Sequence, residues 1–483
     1  MIRREDSAVR PRTLAGAGGR EARVWIERGS RVSFHTERPN GGGTAYWDGC
    51  SANNCVGAAA APSQLCLRHA STAERLEHTR LAFGSSGRVP LLLSGVTITP
   101  ELWDFVLSKA SHDDRRFTAP LHAVGANFPF KLRLSDWTFE WSASLTGAVL
   151  EDGCEITGCT FTDHVDLDFV DFRNGPGYWR QCSFKRGLSV SYGHTSQHVA
   201  FVGCEIGADL TAQGFVADFH LDDCEVAGAC DLSGSAFTLL SLSKSRIVGD
   251  LGLADLEALT VRAPGIELES ASRLGPVRIK GAIDLSNAKF TNRILLDVAA
   301  EKVELSGATF RAGGRLHISS AEIALDRLLL NGPVTLSGRN GASVRSIRSA
   351  DAAKLVLGSV DLSCCIFQGS HGLDSLVLEP TAVLPRSPRP LRTRRRCIAD
   401  EYVWRRANAR WRRSDWDLAQ RDMSNADVAV ELGAGEVAAT YRLLRRSVES
   451  QANEPGAADF YYGEMEMRRL DRGAGGVERG ILW

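Results

Sequence analysis

The chain has 483 residues, of which 43% are hydrophobic and 24% are charged, and its 57 Lys and Arg residues nearly balance its 58 Asp and Glu residues. A formal net charge of −1 gives no electrostatic footprint for a nucleic acid, so no direct nucleic-acid binding is expected. The sequence contains no apolar run of about 18 residues and no signal-peptide core. It therefore predicts a cytoplasmic protein without a transmembrane segment.

The N-terminal residues 1–45 are rich in Arg, Gly and Glu and show little apolar periodicity. We expect an irregular segment here, with short strands only at 23–26 and 31–34, where apolar and polar residues alternate.

A separate unit is predicted at 46–70. It has the pattern Cys-x4-Cys-x10-Cys-x2-His, whose members are Cys50, Cys55, Cys66 and His69. Three thiolates and an imidazole form a good tetrahedral donor set for Zn²⁺, and because the protein fills all four positions no place remains for a catalytic water. The pattern therefore predicts a structural zinc site. The alternative is packing of small cysteines in an Ala-rich loop.

The following segment, 71–116, is predicted to be a helical cap that covers the first turn of a repeat domain. Thr99 is a good N-cap residue, Pro100 suits a first helical turn, and Leu102 and Val106 recur at helical spacing. Such a helix would protect the open end of a β-stack from association with other edges.

From 117 to 384 the chain repeats itself. Five segments share an acid, an apolar residue, Ser or Thr, a small residue at the fifth position and Phe at the seventh; they start at Glu155, Asp231, Asp284, Glu304 and Asp361. Weaker copies place large apolar residues at intervals of 23, 22, 20 and 21 residues, at Phe161, Phe184, Ile206, Val226 and Ile247. A large side chain every fifth residue fits neither a helix nor a simple strand, and it predicts a four-sided coil. An insertion at 191–197 is expected to form a loop.

The repeat also makes a prediction about side chains inside the coils. Six phenylalanines are expected inside, namely Phe161, Phe184, Phe237, Phe290, Phe310 and Phe367. Seven of the 12 cysteines occupy the small inward position two residues before a large apolar residue; they are Cys154, Cys159, Cys182, Cys204, Cys224, Cys230 and Cys365. We interpret them as buried, unpaired small hydrophobes.

After the repeats come an Arg/Pro linker at 385–398 and a helical tail at 399–483. The cationic run from Arg386 to Arg396 is a candidate for contact with an anionic membrane surface, and the alternative is a solvated linker. In the tail, one helical face carries Val437, Tyr441, Leu444 and Val448. The Asn-Glu-Pro-Gly sequence at 453–456 breaks this helix before a second one, so a helical hairpin is predicted.

These repeats resemble the pentapeptide-repeat family. The resemblance implies a mainly β fold, a right-handed quadrilateral β-helix. The Cys/His unit and the segment from Asn453 to Arg469 are similar to those of a bacterial group in that family, with an N-terminal zinc knuckle and a juxtamembrane segment. In that group hydrophobic, channel-like helices follow, whereas this chain reaches Trp483 about where they would begin.

The predicted function is that of a non-enzymatic scaffold for protein–protein interaction. No catalytic or cofactor-binding residue is predicted, and the four zinc ligands are the only predicted site residues. The sequence does not identify the protein partner, and it leaves self-association into a homo-oligomer open.

One alternative, implied by the resemblance, is a DNA mimic that binds and protects DNA gyrase or another topoisomerase. The stretch from Leu145 to Glu269, with 19 acids and 7 bases, is compatible with it. For a mimic, Glu155, Glu205 and Glu225 are expected at equivalent outward positions. A second alternative is a cytoplasmic sensor or assembly domain of a membrane channel-like system.

Overall fold

The parallel coils predicted from the repeats are present. The structure, a computed structural model, describes residues 12–15, 21–26, 31–36, 43–84, 87–110, 114–387, 394–408 and 432–471. These residues form a β-solenoid of about 13 coils together with five helices. The chain divides into two compact units, Met1–Ala258 and Leu259–Trp483.

The strands predicted at 23–26 and 31–34 are present, but they belong to a regular sheet, which corrects the expectation of an otherwise irregular segment. Four antiparallel strands pair in chain order: Arg12–Ala15, Glu21–Ile26, Arg31–Thr36 and Gly43–Asp48. The register joins Val24 to Phe34 and Phe34 to Ala45. Pairing with neighbouring strands satisfies the backbone groups of these strands, so the sheet does not depend on a long apolar pattern.

Two helices lie at the start of the solenoid, one before and one after its first strand. Helix α1 spans Thr72–Gly84 and helix α2 spans Pro100–Lys109. As predicted, the hydroxyl of Thr99 caps α2, accepting a hydrogen bond from the Leu102 N–H at 3.3 Å. The ring of Trp103 on α2 packs edge-to-face on Phe128 at 5.9 Å. The solenoid begins earlier than position 117, because the strand Leu91–Leu92 already pairs with the next coil.

In the first unit the three coils between Arg116 and Arg180 have four short strands, one on each side, whereas from His194–Val202 onward one longer strand replaces two of them. The first side contains Arg116–Phe117, Thr138–Phe139, Thr160–Phe161, Ser183–Phe184, Glu205–Ile206, Glu225–Val226 and Arg246–Ile247. The second contains Leu91–Leu92, Leu121–His122, Ala143–Ser144, Val165–Asp166, Leu188–Ser189, Leu210–Thr211, Cys230–Asp231 and Leu251–Gly252. The other two contain Asn127–Phe128, Leu132–Ser135, Val149–Leu150, Cys154–Thr157, Asp171–Phe172, Gly177–Arg180, His194–Val202, Val216–Asp222 and Ala236–Ser241.

The strand His194–Val202 replaces the loop predicted at 191–197. Its pairing with the next coil shifts register between His194 and His198, so a bulge absorbs the extra residues within the sheet.

Large side chains stack on one another inside the coils, one per coil. The rings of Phe117, Phe139, Phe161 and Phe184 follow one another at centroid distances of 5.0, 4.9 and 5.1 Å. The strand register continues this column through the apolar residues Ile206, Val226 and Ile247. All six phenylalanines expected inside are buried, at 5% exposure or less. The inward placement of these six phenylalanines is therefore confirmed.

The repeated acid has a structural role at the corners of the coils. The carboxylate of Asp284 accepts a hydrogen bond from the N–H of Ser286 at 2.9 Å, which stabilises the turn that follows the strand. The next residue, Asn287, adopts a left-handed conformation with φ of 56°. Glycines that tolerate the same conformation occupy the equivalent position at Gly158, Gly234 and Gly307.

Most coils of the second unit also have three strands, like the later coils of the first unit. The strand Leu256–Arg262 contains the point at which the two units divide. One side contains Glu267–Leu268, Lys289–Phe290, Thr309–Phe310 and Leu329–Leu330. The next contains Arg273–Ile279, Ile294–Ala299, Gly314–Ser319, Val334–Arg339, Leu355–Gly358 and Val377–Leu378. The third contains Ala282–Asp284, Lys302–Glu304, Glu322–Ala324 and Ser343–Ser346.

Three helices complete the second unit: α3 (Ala399–Asn408), α4 (Ala434–Ser450) and α5 (Glu454–Leu470). Helices α4 and α5 form the predicted pair. Their shared core contains the four residues of the predicted face, Val437, Tyr441, Leu444 and Val448, all buried. Asp400 on α3 is fully buried and accepts a hydrogen bond from the Phe367 N–H at 3.0 Å, so this helix caps the last repeat.

The cationic run from Arg386 to Arg396 is only partly described, since 388–393 lie outside the described residues. Arg395 is not available to a membrane surface, because it is buried and forms a bidentate pair with Glu401 at 2.7 Å. A buried guanidinium needs such a partner, and the neighbouring acid on α3 supplies it. Within the part of the chain that the structure describes, no helix is long and apolar enough to cross a membrane.

Candidate metal centre

The first two candidate ligands lie on a hairpin that follows the strand Gly43–Asp48. Gly49 forms an antiparallel bridge with Ala58, and the N–H of Cys50 donates to the carbonyl of Gly57 at 2.8 Å. Between them a tight turn, closed by the Cys55 N–H on the Ala52 carbonyl at 3.2 Å, returns the chain. The hairpin brings Cys50 and Cys55 to the same end.

The other two ligands lie on a single helical turn. The N–H groups of His69 and Ala70 both donate to the carbonyl of Cys66 at 2.9 Å. This turn brings the imidazole of His69 back toward the thiol of Cys66, which is why a spacing of three residues suits a metal site.

The four donor atoms converge on one point. They all lie within 4.8 Å of one another. The Nδ1 atom of His69 lies 3.5 Å from the Sγ atoms of both Cys50 and Cys66, and the Sγ atoms of Cys55 and Cys66 are 3.7 Å apart. With metal bonds of about 2.3 Å to sulfur and about 2.0 Å to nitrogen, a tetrahedral zinc site has edges of about 3.8 Å and about 3.5 Å. These three separations match those edges, so the cluster could bind a metal ion.

The unit at 46–70, called the knuckle from here on, is packed on the first coil. A Cβ atom at Gly57 would lie 3.2 Å from the Cys66 Sγ and 3.0 Å from the Val96 side chain, so only glycine fits without displacement. The Ala58 N–H donates to the carbonyl of Ser94 at 2.7 Å. Cys66 is fully buried in this contact, whereas His69 is exposed.

Burial and hydrogen bonds shift the pKa values of the three knuckle thiols. Burial raises the pKa of Cys66 to about 12 and also raises the pKa of Cys55. For Cys50 the burial effect is outweighed by hydrogen bonds from the backbone and the neighbouring thiols, and its pKa is lowered. A metal that binds here must displace thiol protons, so binding should release protons to solvent.

The knuckle group stands apart from the other polar clusters. In the described ranges it is the one group of three or more His, Cys, Asp or Glu side chains that is placed to hold a metal ion. Outside this group, the Nε2 atom of His198 forms a hydrogen bond with the Tyr178 hydroxyl at 2.7 Å. The seven inward cysteines are buried and form no disulfide, as their repeat position predicted.

The three acids that we expected at equivalent outward positions are not equivalent. Glu205 pairs in register with Glu225, but Glu155 lies on a different side of the coil and pairs with Tyr178. Glu205 and Glu225 directly precede the inward residues Ile206 and Val226, whereas Glu155 precedes Phe161 by six residues. Thr160 is therefore the residue equivalent to the two acids. Each acid also has a base nearby: Lys131 lies 3.0 Å from Glu155, Lys185 lies 3.6 Å from Glu205, and Arg246 lies 2.6 Å from Glu225.

Comparisons with models of known protein families, with curated proteins and with solved structures gave no match.

Proposed function

We propose that this chain is a non-enzymatic scaffold of the pentapeptide-repeat type that binds protein partners on the outward faces of its coils and contains one structural zinc ion. The observation that carries the proposal is the closed set of four protein donors, Cys50, Cys55, Cys66 and His69, packed against a stack of parallel coils. A site whose four positions are filled by protein stabilises a fold and leaves no position for substrate. When bound, zinc would link the two halves of the knuckle.

The metal assignment has a direct test. We expect about one zinc per chain in reduced protein and nearly none in Cys66→Ser, because a structural site needs all four donors. Cys365→Ser, which changes a buried thiol of the solenoid, is the matched control and should keep its zinc. Wild-type protein with less than about 0.2 zinc per chain under reducing conditions would reject the assignment.

The scaffold role is tested with the intact chain as bait in an extract of its native host. A specific partner should be retained by wild type and by Cys365→Ser, and lost with a chain whose coils are disrupted by Phe310→Asp. If no protein is retained by the two folded baits and lost with Phe310→Asp, the scaffold role is contradicted.

The two alternative functions have less support. A DNA mimic needs a continuous anionic stripe, whereas the acids Glu155, Glu205 and Glu225 are each accompanied by a base. We expect no protection of DNA gyrase supercoiling from a quinolone, and dose-dependent protection would reverse the ranking. A role as sensor for a membrane partner would show as co-purification with a membrane protein in the same capture experiment.

A further inference from the structure

A groove of about 660 Å³ lies on the outward side of the coils in the second unit. Its lining runs from Ser286 to Ile366 and so crosses five successive coils, as the strand register shows. Because coils stack about 4.8 Å apart, the groove is about 19 Å long, which matches about six extended residues.

The middle coil of this groove lacks an acid that the two preceding coils have. Asp284 and Glu304 accept hydrogen bonds from the N–H groups two residues later, at 2.9 and 3.3 Å. The register places Ala324 next to Glu304, and an alanine side chain has no hydrogen-bond acceptor. Among the described residues, no acceptor is found for the N–H two residues after it, that of Asp326. The groove therefore contains a backbone donor whose usual carboxylate is missing.

A bulge lies beside the same alanine. Ile323 pairs with Val344, but Ala324 pairs with Ser346, so Arg345 is an extra residue in its strand. Bulges redirect side chains and are frequent beside functional sites. Here the bulge lies at the middle of the groove, and Arg345 is among its lining residues.

The charges around the alanine favour an incoming carboxylate. Arg348 lies 3.6 Å from Asp326, but its buried Nε–H has no hydrogen-bond acceptor. Arg327 lines the groove, is exposed, and has no ion pair with any residue that the structure describes. Elsewhere along the groove bases and acids are already paired, as Arg345 and Glu322 are at 2.8 Å. One anionic group at the centre is therefore favoured, and further charges along the ligand are not.

We propose that this groove binds an extended segment of a partner protein, with one Asp or Glu side chain placed over Ala324. That carboxylate would accept from the Asp326 N–H and interact with Arg327 and Arg348, and so restore the hydrogen bond that neighbouring coils make internally. Small uncharged residues would flank it. The proposal deepens the scaffold function and rests on it.

The probe is a labelled, capped hexapeptide of Ala and Ser with one central Glu, compared with the same peptide carrying Gln, and binding is measured by fluorescence polarisation. We expect the Glu peptide to bind about tenfold more tightly than the Gln peptide, because charge-assisted hydrogen bonds are stronger than neutral ones. Ala324→Asp should weaken binding of the Glu peptide about tenfold, since an internal carboxylate would occupy the same donor. Arg327→Ser should also weaken it, and thermal unfolding of each variant reports whether it is folded.

Thr335→Asp adds the same charge on another strand, outside the groove, and should leave binding unchanged. Equal affinity for the Glu and Gln peptides, unchanged binding by folded Ala324→Asp, or no binding at millimolar peptide would each overturn the proposal. If these results were found while the intact chain still captured a partner, the scaffold would stand and the groove would be rejected as its site.

Discussion

The knuckle and the solenoid both bury cysteines, but their thiols have different neighbours. In the knuckle, the Sγ of Cys66 has another thiol at 3.7 Å and an imidazole nitrogen at 3.5 Å. In the solenoid, the Sγ of Cys224 lies 3.3 Å from the carbonyl of Phe201, in a space that only a small side chain fits. The difference follows the repeat: the seven cysteines in the inward position pack, whereas the three cysteines of the knuckle lie outside the repeat and converge with His69.

The stability of the two regions should differ in origin as well. The solenoid depends on its stacked apolar column, whereas the knuckle has few buried side chains and depends on its donors. The predictions below separate these two sources of stability, beginning with the largest effect.

Phe310→Asp should be the most damaging single change. Phe310 is fully buried and stacks on Phe290 at 4.7 Å, so an aspartate would place an unpaired charge inside the coils. We expect a loss of about 4 kcal/mol or more in the free energy of unfolding, measured by urea unfolding. Arg311→Asp adds an acid at the next, exposed position and should cost less than about 1 kcal/mol. Equal effects would mean that the column is not the core.

Loss of a metal ligand should act locally. We expect Cys66→Ser to increase backbone hydrogen exchange at 46–70 and in the adjoining N-terminal strands, because metal binding stabilises the knuckle. Chelation of the metal from wild-type protein should give the same increase. Exchange in the coils beyond position 160 should be unchanged. An equal increase throughout the first unit would show that the knuckle and solenoid are one cooperative unit.

A smaller effect is expected where the N-terminal sheet meets the coils. Phe34 is 1% exposed and its ring lies against Gly147, where φ is 64° and an added Cβ would collide with the ring. Gly147→Ala should displace Phe34 and destabilise this contact by about 2–4 kcal/mol, with the zinc content retained.

A matched control for Gly147→Ala is available at Gly234. It has almost the same φ, 63°, but no atom within 4 Å of an added Cβ, so Gly234→Ala measures the backbone strain alone. That strain should be about 1–2 kcal/mol. Equal hydrogen exchange in the strand of Phe34 for both variants would contradict a packed contact.

The smallest effect is predicted for Cys224→Ser. The next coil has Ser245 in the same inward position, where its hydroxyl donates to the carbonyl of Leu221 at 2.7 Å. A serine at 224 can make the equivalent bond to Phe201, so we expect a change below about 1 kcal/mol in the free energy of unfolding. Cys224→Val, which is larger and branched, should cost about 1–3 kcal/mol. The reverse order would contradict the packing interpretation.

The repeat could be predicted from sequence because its inward side chains must recur in each coil. Phe161, Phe184 and Phe310 therefore revealed the register without any long-range information. The outward positions could not be followed in this way, since packing does not restrict their side chains, and Glu155 was aligned with acids on another side. The N-terminal sheet was missed because its pairing is set by hairpins and by docking of Phe34, neither of which leaves a periodic pattern.

The candidate metal centre was accessible from sequence for a different reason. A short spacing such as that between Cys66 and His69 restricts the possible geometry to one turn, so the donor set could be proposed before any fold was known. Burial of Arg395 by Glu401 could not be predicted, because that pair depends on how α3 packs against the chain before it.

The most direct test of the two roles for cysteine is alkylation of native, metal-loaded protein, with each thiol quantified by mass spectrometry before and after chelation. We predict that Cys50, Cys55 and Cys66 are protected until the metal is removed and then react. The seven inward cysteines should stay protected in both states, since burial, not metal, shields them. Knuckle thiols that react at the same rate with and without chelator, or solenoid thiols that become reactive on chelation, would contradict the account.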